Sequence, residues 1–312
     1  MESNNMLSFY TSKIREFINN PRIQFYYMKN LNIWSKLRSS LDVIEDSEQA
    51  IGFYFRSDFP AEIGGRYLFL YGLFQALYIQ QDAFKTLCES LEYPWEVKDN
   101  KIVSRIRNIR NDGVGHPTNR KGLFPYHFIS RITIEQNSFE MFSHKINKKL
   151  VCRTIKIQPL VSKQKKEFVK LFKKIINQLQ NQDRIHKEKF KRDKLEPIFS
   201  NTHYFIEKIN DSIVSNSGFK FAEINLNTLL DALDKFKKKL EDRGESVTIH
   251  YPIQTIYKNL SYPINKLSNY FNFKKRRINS KAEKIFCEYI EGQFLKLQSL
   301  AKTIDEEYNT IT

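Results

Sequence analysis

The sequence has little cysteine, proline or glycine. Among 312 residues there are three Cys, nine Pro and ten Gly. Cys88, Cys152 and Cys287 lie far apart, so no CxxC pair exists to hold zinc or run thiol exchange. An odd, sparse count suits a reducing compartment, and the cytoplasm is the expected location. So few Gly and Pro disfavour a turn-rich sandwich and exclude a collagen-like chain. Long hydrophobic runs are missing too. The most apolar stretch, Tyr67 to Ile79, is about 13 residues, short of the roughly 20 that span a bilayer, so no membrane partner is expected. Met1 to Tyr10 is polar and predicts no signal peptide. No GxxxxGK[ST] run appears, so a P-loop NTPase is not supported, and no RRM, KH or zinc-finger pattern appears either.

Aromatic and basic residues are abundant instead. The 25 Phe and 16 Tyr argue against wholesale disorder, and a chain this long buries a core without disulfide or metal. There are 51 Lys+Arg against 35 Asp+Glu, a formal net charge of +16. Residues 1–99 hold 10 basic and 13 acidic side chains, and residues 100–312 hold 41 and 22. That asymmetry reads as a surface for a polyanion on the later part of the chain. Solvated Lys-rich helices give the same count, so charge leaves both readings open.

Hydrophobic periodicity predicts a mainly α fold. Candidate helices are Ser8–Ile18, Ile23–Ile44 and Tyr67–Leu91, with a break at Gly64-Gly65 and a stop at Pro94. The apolar residues of Tyr67–Leu91 run nearly all round, which places it centrally in a core. A short helix follows at Lys101–Asn111. Residues 125–158 are rich in β-branched and aromatic residues and predict a small antiparallel sheet. Helix returns near Ser162, and Ser280-Lys-Ala-Glu283 reads as a capping box for a last helix. A domain division near Leu160 is expected: 1–160 as a helical domain with a β appendage, and 161–312 as a basic helical region.

The most informative segment is Arg107-Asn-Ile-Arg110-Asn111-Asp-Gly-Val-Gly115-His116-Pro117-Thr118. Six positions apart on one continuous helix, Arg110 and His116 would not face each other. Gly113 and Gly115 change this if the helix stops at Asp112 with Gly113 left-handed, so that a tight loop returns His116 across the helix end. Earlier in the chain, Gln80, Gln81 and Asp82 interrupt the apolar helix. This polar triplet calls for a partner. A solvated stripe on that helix is the plainer reading.

Arg110, Asn111, four residues and His116 resemble the signature of the HEPN superfamily. The resemblance covers roughly residues 5–125. It implies a helical bundle and, as in many HEPN proteins, metal-independent RNA cleavage with no cofactor. It also implies a homodimer whose two motifs form a composite site, restraint or activation by a partner, and a toxin or antiphage setting. One departure is Thr118, where antitoxin-paired HEPN toxins carry a Tyr; this puts neutralisation by tyrosine modification in doubt.

Elementary chemistry points the same way. Attack of the RNA 2′-hydroxyl on the adjacent phosphate needs a group that moves protons near neutral pH, and His116 suits it. It also needs a cation for the extra charge on phosphate, and Arg110 suits that. Asn111 holds the phosphate or orients the imidazole. Some HEPN domains carry a polar or acidic residue on an earlier helix that orients the Arg, so the resemblance implies Asp82 paired with Arg110, with Gln81 and Arg107 as further supporting residues. Lys274, Lys275, Arg276 and Arg277 follow Tyr270, Phe271 and Phe273, so cations there can hold RNA phosphates while rings stack bases; an aromatic-anchored, solvated loop is the alternative. His127 and His144, with Arg131 and Arg153 nearby, are placed to contact RNA phosphate, but satisfied surface residues are the plainer reading. No metal site is expected. The competing functional reading is a HEPN-like RNA-binding or scaffolding subunit without turnover.

Overall fold

The computed structural model describes residues 6–115, 126–144, 149–273 and 280–310. They form ten α-helices and one three-stranded antiparallel sheet, so the fold is mainly α with a small β insertion. No described helix is long and apolar enough to cross a membrane. The chain divides into two compact units. The first holds residues 1–17 and 27–178, and the second holds 18–26 and 179–312. The division therefore falls within a helix, α6 (Ile157–Phe190), and not near Leu160. After Pro159 in its first turn, no Gly or Pro interrupts α6 through residue 190, so composition shows no boundary at the observed division.

α1 (Met6–Ile18) and α2 (Pro21–Met28), most of which belongs to the second unit, precede the two long helices of the first unit, α3 (Leu31–Arg56) and α4 (Ile63–Ser90). The single helix expected over Ile23–Ile44 is broken at Asn30. Its side chain caps α3 by accepting from the Asn32 and Ile33 amides at 3.1 and 3.3 Å. Gly64-Gly65 is no break either, because both lie in the first turn of α4. A Cβ on Gly65 would come within 2.7 Å of Pro60, so glycine there permits close approach.

α5 (Lys101–Arg110) is capped by Asn100, whose side-chain Oδ1 accepts from the Ile102 and Val103 amides at 3.0 and 3.1 Å. The sheet has the order β1 (Tyr126–Ile129), β2 (Ser138–His144) and β3 (Val151–Lys156). Along β2, Phe139 and Met141 point inward, and Phe139 meets Phe74 of α4 edge-on at 5.7 Å. α6 starts at Ile157, directly after β3 and earlier than Ser162. Phe84 of α4 stacks on Phe168 of α6 at 3.9 Å. Each such buried ring contributes roughly 2–3 kcal/mol.

A polar chain runs through this apolar packing. Gln80 and Gln81 are 2% and 0% exposed, so the polar triplet is no solvated stripe. The Gln81 amide donates to Gln164 of α6 at 2.8 Å and to the Val103 carbonyl at 3.3 Å. Gln164 donates to Gln80 at 3.1 Å, and Gln80 donates to Glu48 of α3 at 3.3 Å. Glu48 is ion-paired with Lys165. Buried amides are tolerated because each finds partners.

The second unit packs α7 (Thr202–Val214), α8 (Phe219–Asp242), α9 (Tyr251–Phe273) and α10 (Ser280–Glu307) around Phe199, Phe236, Leu267 and Phe294. Gly244, at φ +75°, ends α8, and the Glu245 amide turns back to the Leu240 carbonyl at 2.9 Å. A buried polar chain lies here too. His186 contacts the Tyr308 hydroxyl at 3.2 Å, Tyr308 donates to Glu245 at 2.9 Å, and Glu245 meets His250 at 2.7 Å. Burial, reinforced by the charge of Arg22, pushes the His186 imidazole down to about 4. Burial alone would raise the Glu245 carboxyl. Hydrogen bonds from His250 and Tyr308 outweigh it and hold the group below its ordinary value.

Gln81→Leu leaves Gln164 and Arg107 short of a partner and should remove about 2–3 kcal/mol from the first unit. Both tryptophans, Trp34 and Trp95, lie in that unit, so urea unfolding followed by tryptophan fluorescence reads it alone. A midpoint equal to wild type would show the amide chain to be dispensable. The second prediction concerns acid. The unfolded state binds a proton at His186 below about pH 6.5 and the folded state only near 4. Stability of the second unit should therefore fall as pH drops through that window. Hydrogen exchange of α10 amides reads this, and His186→Gln should flatten the dependence.

Candidate active site

The site grows from the face that α4 and α5 share. Arg107 donates from Nε to Gln81 at 3.0 Å and is ion-paired with Asp82. Arg110 donates from Nε and Nη2 to the Gln75 carbonyl oxygen at 3.2 and 2.7 Å. Its Nη1 donates to Asn111 Oδ1 at 3.1 Å. Both guanidiniums approach the ring of Tyr78, at 4.4 Å for Arg107 and 4.3 Å for Arg110.

The expected Asp82–Arg110 pair does not form, and Asp82 belongs to Arg107. The two helices run antiparallel along this face. A step of three residues forward on α5 carries Arg110 back along α4, from Gln81 and Asp82 to Tyr78 and Gln75. Gln75 and Asp82 are seven residues apart on α4, about 10 Å along its axis.

This placement separates the two arginines electrically. Arg107 has a carboxylate partner. No described carboxylate lies in ion-pair range of Arg110, which neutral amides and an aromatic ring hold in place. Three of its five N–H donors are engaged, and the other two have no partner among the described residues. Arg110 thus presents an uncompensated, oriented guanidinium fork, the arrangement that stabilises charge developing on an oxyanion. Because Asn111 Oδ1 accepts from Arg110, its amide N–H groups are the donors it offers to a ligand.

The helix does not stop at Asp112. α5 passes into one π-helical turn, Asn111–Gly115, a feature frequent at functional sites. Gly113 is not left-handed; positive φ among the described residues occurs at Glu92, Asn216, Gly218 and Gly244. Gly113 is instead buried against the sheet, where a Cβ would lie 3.4 Å from Ile129 and 3.5 Å from Met141. A Cβ on Gly115 would stand 2.6 Å from Nη1 of Arg110, so this glycine makes room for the guanidinium. His116, the next residue, lies outside the described residues, as do Lys274, Lys275, Arg276 and Arg277.

Sequence reasoning missed Gln75 and Tyr78. Their signal is the recurrence of Gln75, Tyr78 and Asp82 at spacings of three and four, a polar stripe on an otherwise apolar helix. It also read His127 as a surface residue. His127 is buried, meets Ser143 Oγ at 2.8 Å through Nδ1, and places Nε2 3.7 Å from Asp112 of the π turn. β1 carries it there, and only the packing of the sheet on α5 reveals the neighbour. Among the described residues, no group of three or more His, Cys, Asp and Glu is arranged to hold a metal ion.

Comparison of the chain with protein-family models, with curated proteins and with solved structures finds no match.

The role of Gly115 is testable apart from any activity. Gly115→Ala should displace the Arg110 guanidinium while the tryptophan-detected unfolding midpoint stays within about 0.5 kcal/mol of wild type. The Arg110 Nε–H resonance, protected by Gln75, should then shift and exchange faster, as it should in Gln75→Ala. An unmoved resonance in Gly115→Ala would show that the turn relaxes around the added methyl.

Proposed function

We propose that this chain is a metal-independent endoribonuclease of HEPN type, acting on single-stranded RNA. The observation that carries this reading is Arg110: a guanidinium oriented by Gln75, Asn111 and Tyr78, free of any described carboxylate, with Gly115 packed against it one residue before His116.

In this reading the 2′-hydroxyl of a ribose attacks the adjacent phosphorus. The new O2′–P bond forms and the P–O5′ bond breaks. The hydroxyl proton leaves to a base, and the departing 5′ oxygen takes up a proton. The products are a 2′,3′-cyclic phosphate and a 5′-hydroxyl. His116 moves one of these protons. Arg110 supports the negative charge on the non-bridging oxygens of the five-coordinate phosphate. Asn111 holds Arg110 through Oδ1 and offers its amide donors to the phosphate. Arg107, neutralised by Asp82, positions α5 on α4 and takes no part in the chemistry. The HEPN resemblance adds a homodimer, in which the motif of a second copy supplies the complementary proton transfer, and a toxin or defence setting with a partner that restrains or triggers cutting.

Labelled single-stranded RNA incubated in EDTA tests this. Wild type should release fragments ending in 2′,3′-cyclic phosphate. Arg110→Ala and His116→Ala should each lower the rate at least 100-fold with an unchanged unfolding midpoint. Binding of varied RNAs without cleavage by folded wild type would replace the nuclease by a binding subunit.

A further inference from the structure

Besides the Arg110 face, α5 has a second polar face, and a cleft of about 380 Å3 opens along it. Lys98, Lys101, Arg105 and Asn108 line one wall, and Arg153 of β3 lines the other. Lys101, Arg105, Asn108 and Asp112 recur at spacings of four, three and four, so they form one stripe, about 16 Å from first to last. All of these residues belong to the first unit.

The cleft brings four basic side chains together. None of Lys98, Lys101, Arg105 and Arg153 has an ion-pair partner among the described residues, although they share one cleft. Asp112 is its single carboxylate, and that group faces His127. Four unpaired cations held this close repel one another, and a bound polyanion relieves that repulsion. Ile109, Met141 and Ile155 supply an apolar floor.

The cleft and the Arg110 site lie on opposite faces of α5. They meet at the end of the helix, where Asp112 of the cleft adjoins Asn111 of the site. We infer that this cleft binds the phosphodiester backbone of single-stranded RNA, anchoring the strand that passes over the end of α5 to Arg110. The inference rests on the proposed nuclease reading for the identity of the strand. It assigns Lys98, Lys101, Arg105 and Arg153 to substrate holding, apart from chemistry. Its contacts are to phosphate, so it carries no base preference.

The test uses a fluorescein-labelled 2′-O-methyl RNA 12-mer, which lacks the attacking hydroxyl and cannot be cut. Binding is followed by anisotropy against salt. The triple variant Lys101→Ala, Arg105→Ala, Arg153→Ala should lower the slope of log K against log salt by about 2, since each phosphate contact to a single strand contributes about 0.7. Affinity should fall at least tenfold at about 100 mM salt, equally for different base sequences. A control triple of exposed lysines in the second unit, Lys237→Ala, Lys238→Ala and Lys258→Ala, should leave the slope nearly unchanged. A cleft variant with wild-type slope, equal losses from both triples, or a wild type that does not bind would each overturn the inference. The readings separate cleanly. Cleft-dependent binding without cleavage of ordinary RNA sinks the nuclease reading alone. Cleavage with a KM untouched by the cleft triple sinks the cleft alone.

Discussion

The first unit depends on a line of side-chain amides crossing its core. From Glu48 through Gln80, Gln164 and Gln81 to Arg107, hydrogen bonds join α3, α4, α6 and α5. Apolar packing alone tolerates sliding of one helix along another, because one methyl resembles the next. A buried amide does not, since a slip leaves it without partners in a medium of low dielectric. The amide line therefore fixes the register of α5 on α4. Once Arg107 is held at Gln81 and Asp82, Arg110 has to reach Gln75.

That register produces the electrical inequality at the heart of the site. Two arginines three residues apart approach the same tyrosine ring, yet among the described residues only one has a carboxylate partner. Arg107 is a structural cation. Arg110 is oriented by groups that do not neutralise it, so its charge remains available to a ligand. An Arg held by an Asp would be equally well placed and far less able to stabilise an anion, because much of its field would already be satisfied.

The π turn continues the same logic. Winding continues past Arg110 to Gly115, with Gly113 flat against the sheet and Gly115 flat against the guanidinium. Both glycines serve proximity, not an unusual backbone angle. The same turn brings Asp112 to His127, so β1, a short strand beginning eleven residues after the turn, becomes part of the site's surroundings. On the opposite side of α5, four cations without an ion-pair partner among the described residues collect in one cleft.

Local signals were enough for the mainly helical class, the small sheet at 125–158 and the central place of α4, and they drew attention to the Arg110 segment. Those signals are periodicity of 3.6 or 2, β-branched composition, and residue types fit for phosphate chemistry. The sequence also showed that Gln80, Gln81 and Asp82 needed partners. Which partners they take was decided by tertiary structure. The pairing of Asp82 with Arg107, the grip of Gln75 and Tyr78 on Arg110, and the burial of His127 all depend on how far one helix is displaced along another. A shift of one turn, about 5.4 Å, would exchange every partner without altering either helix. Local sequence sets what each element is; the buried amides, satisfied in only one alignment, set where it lies.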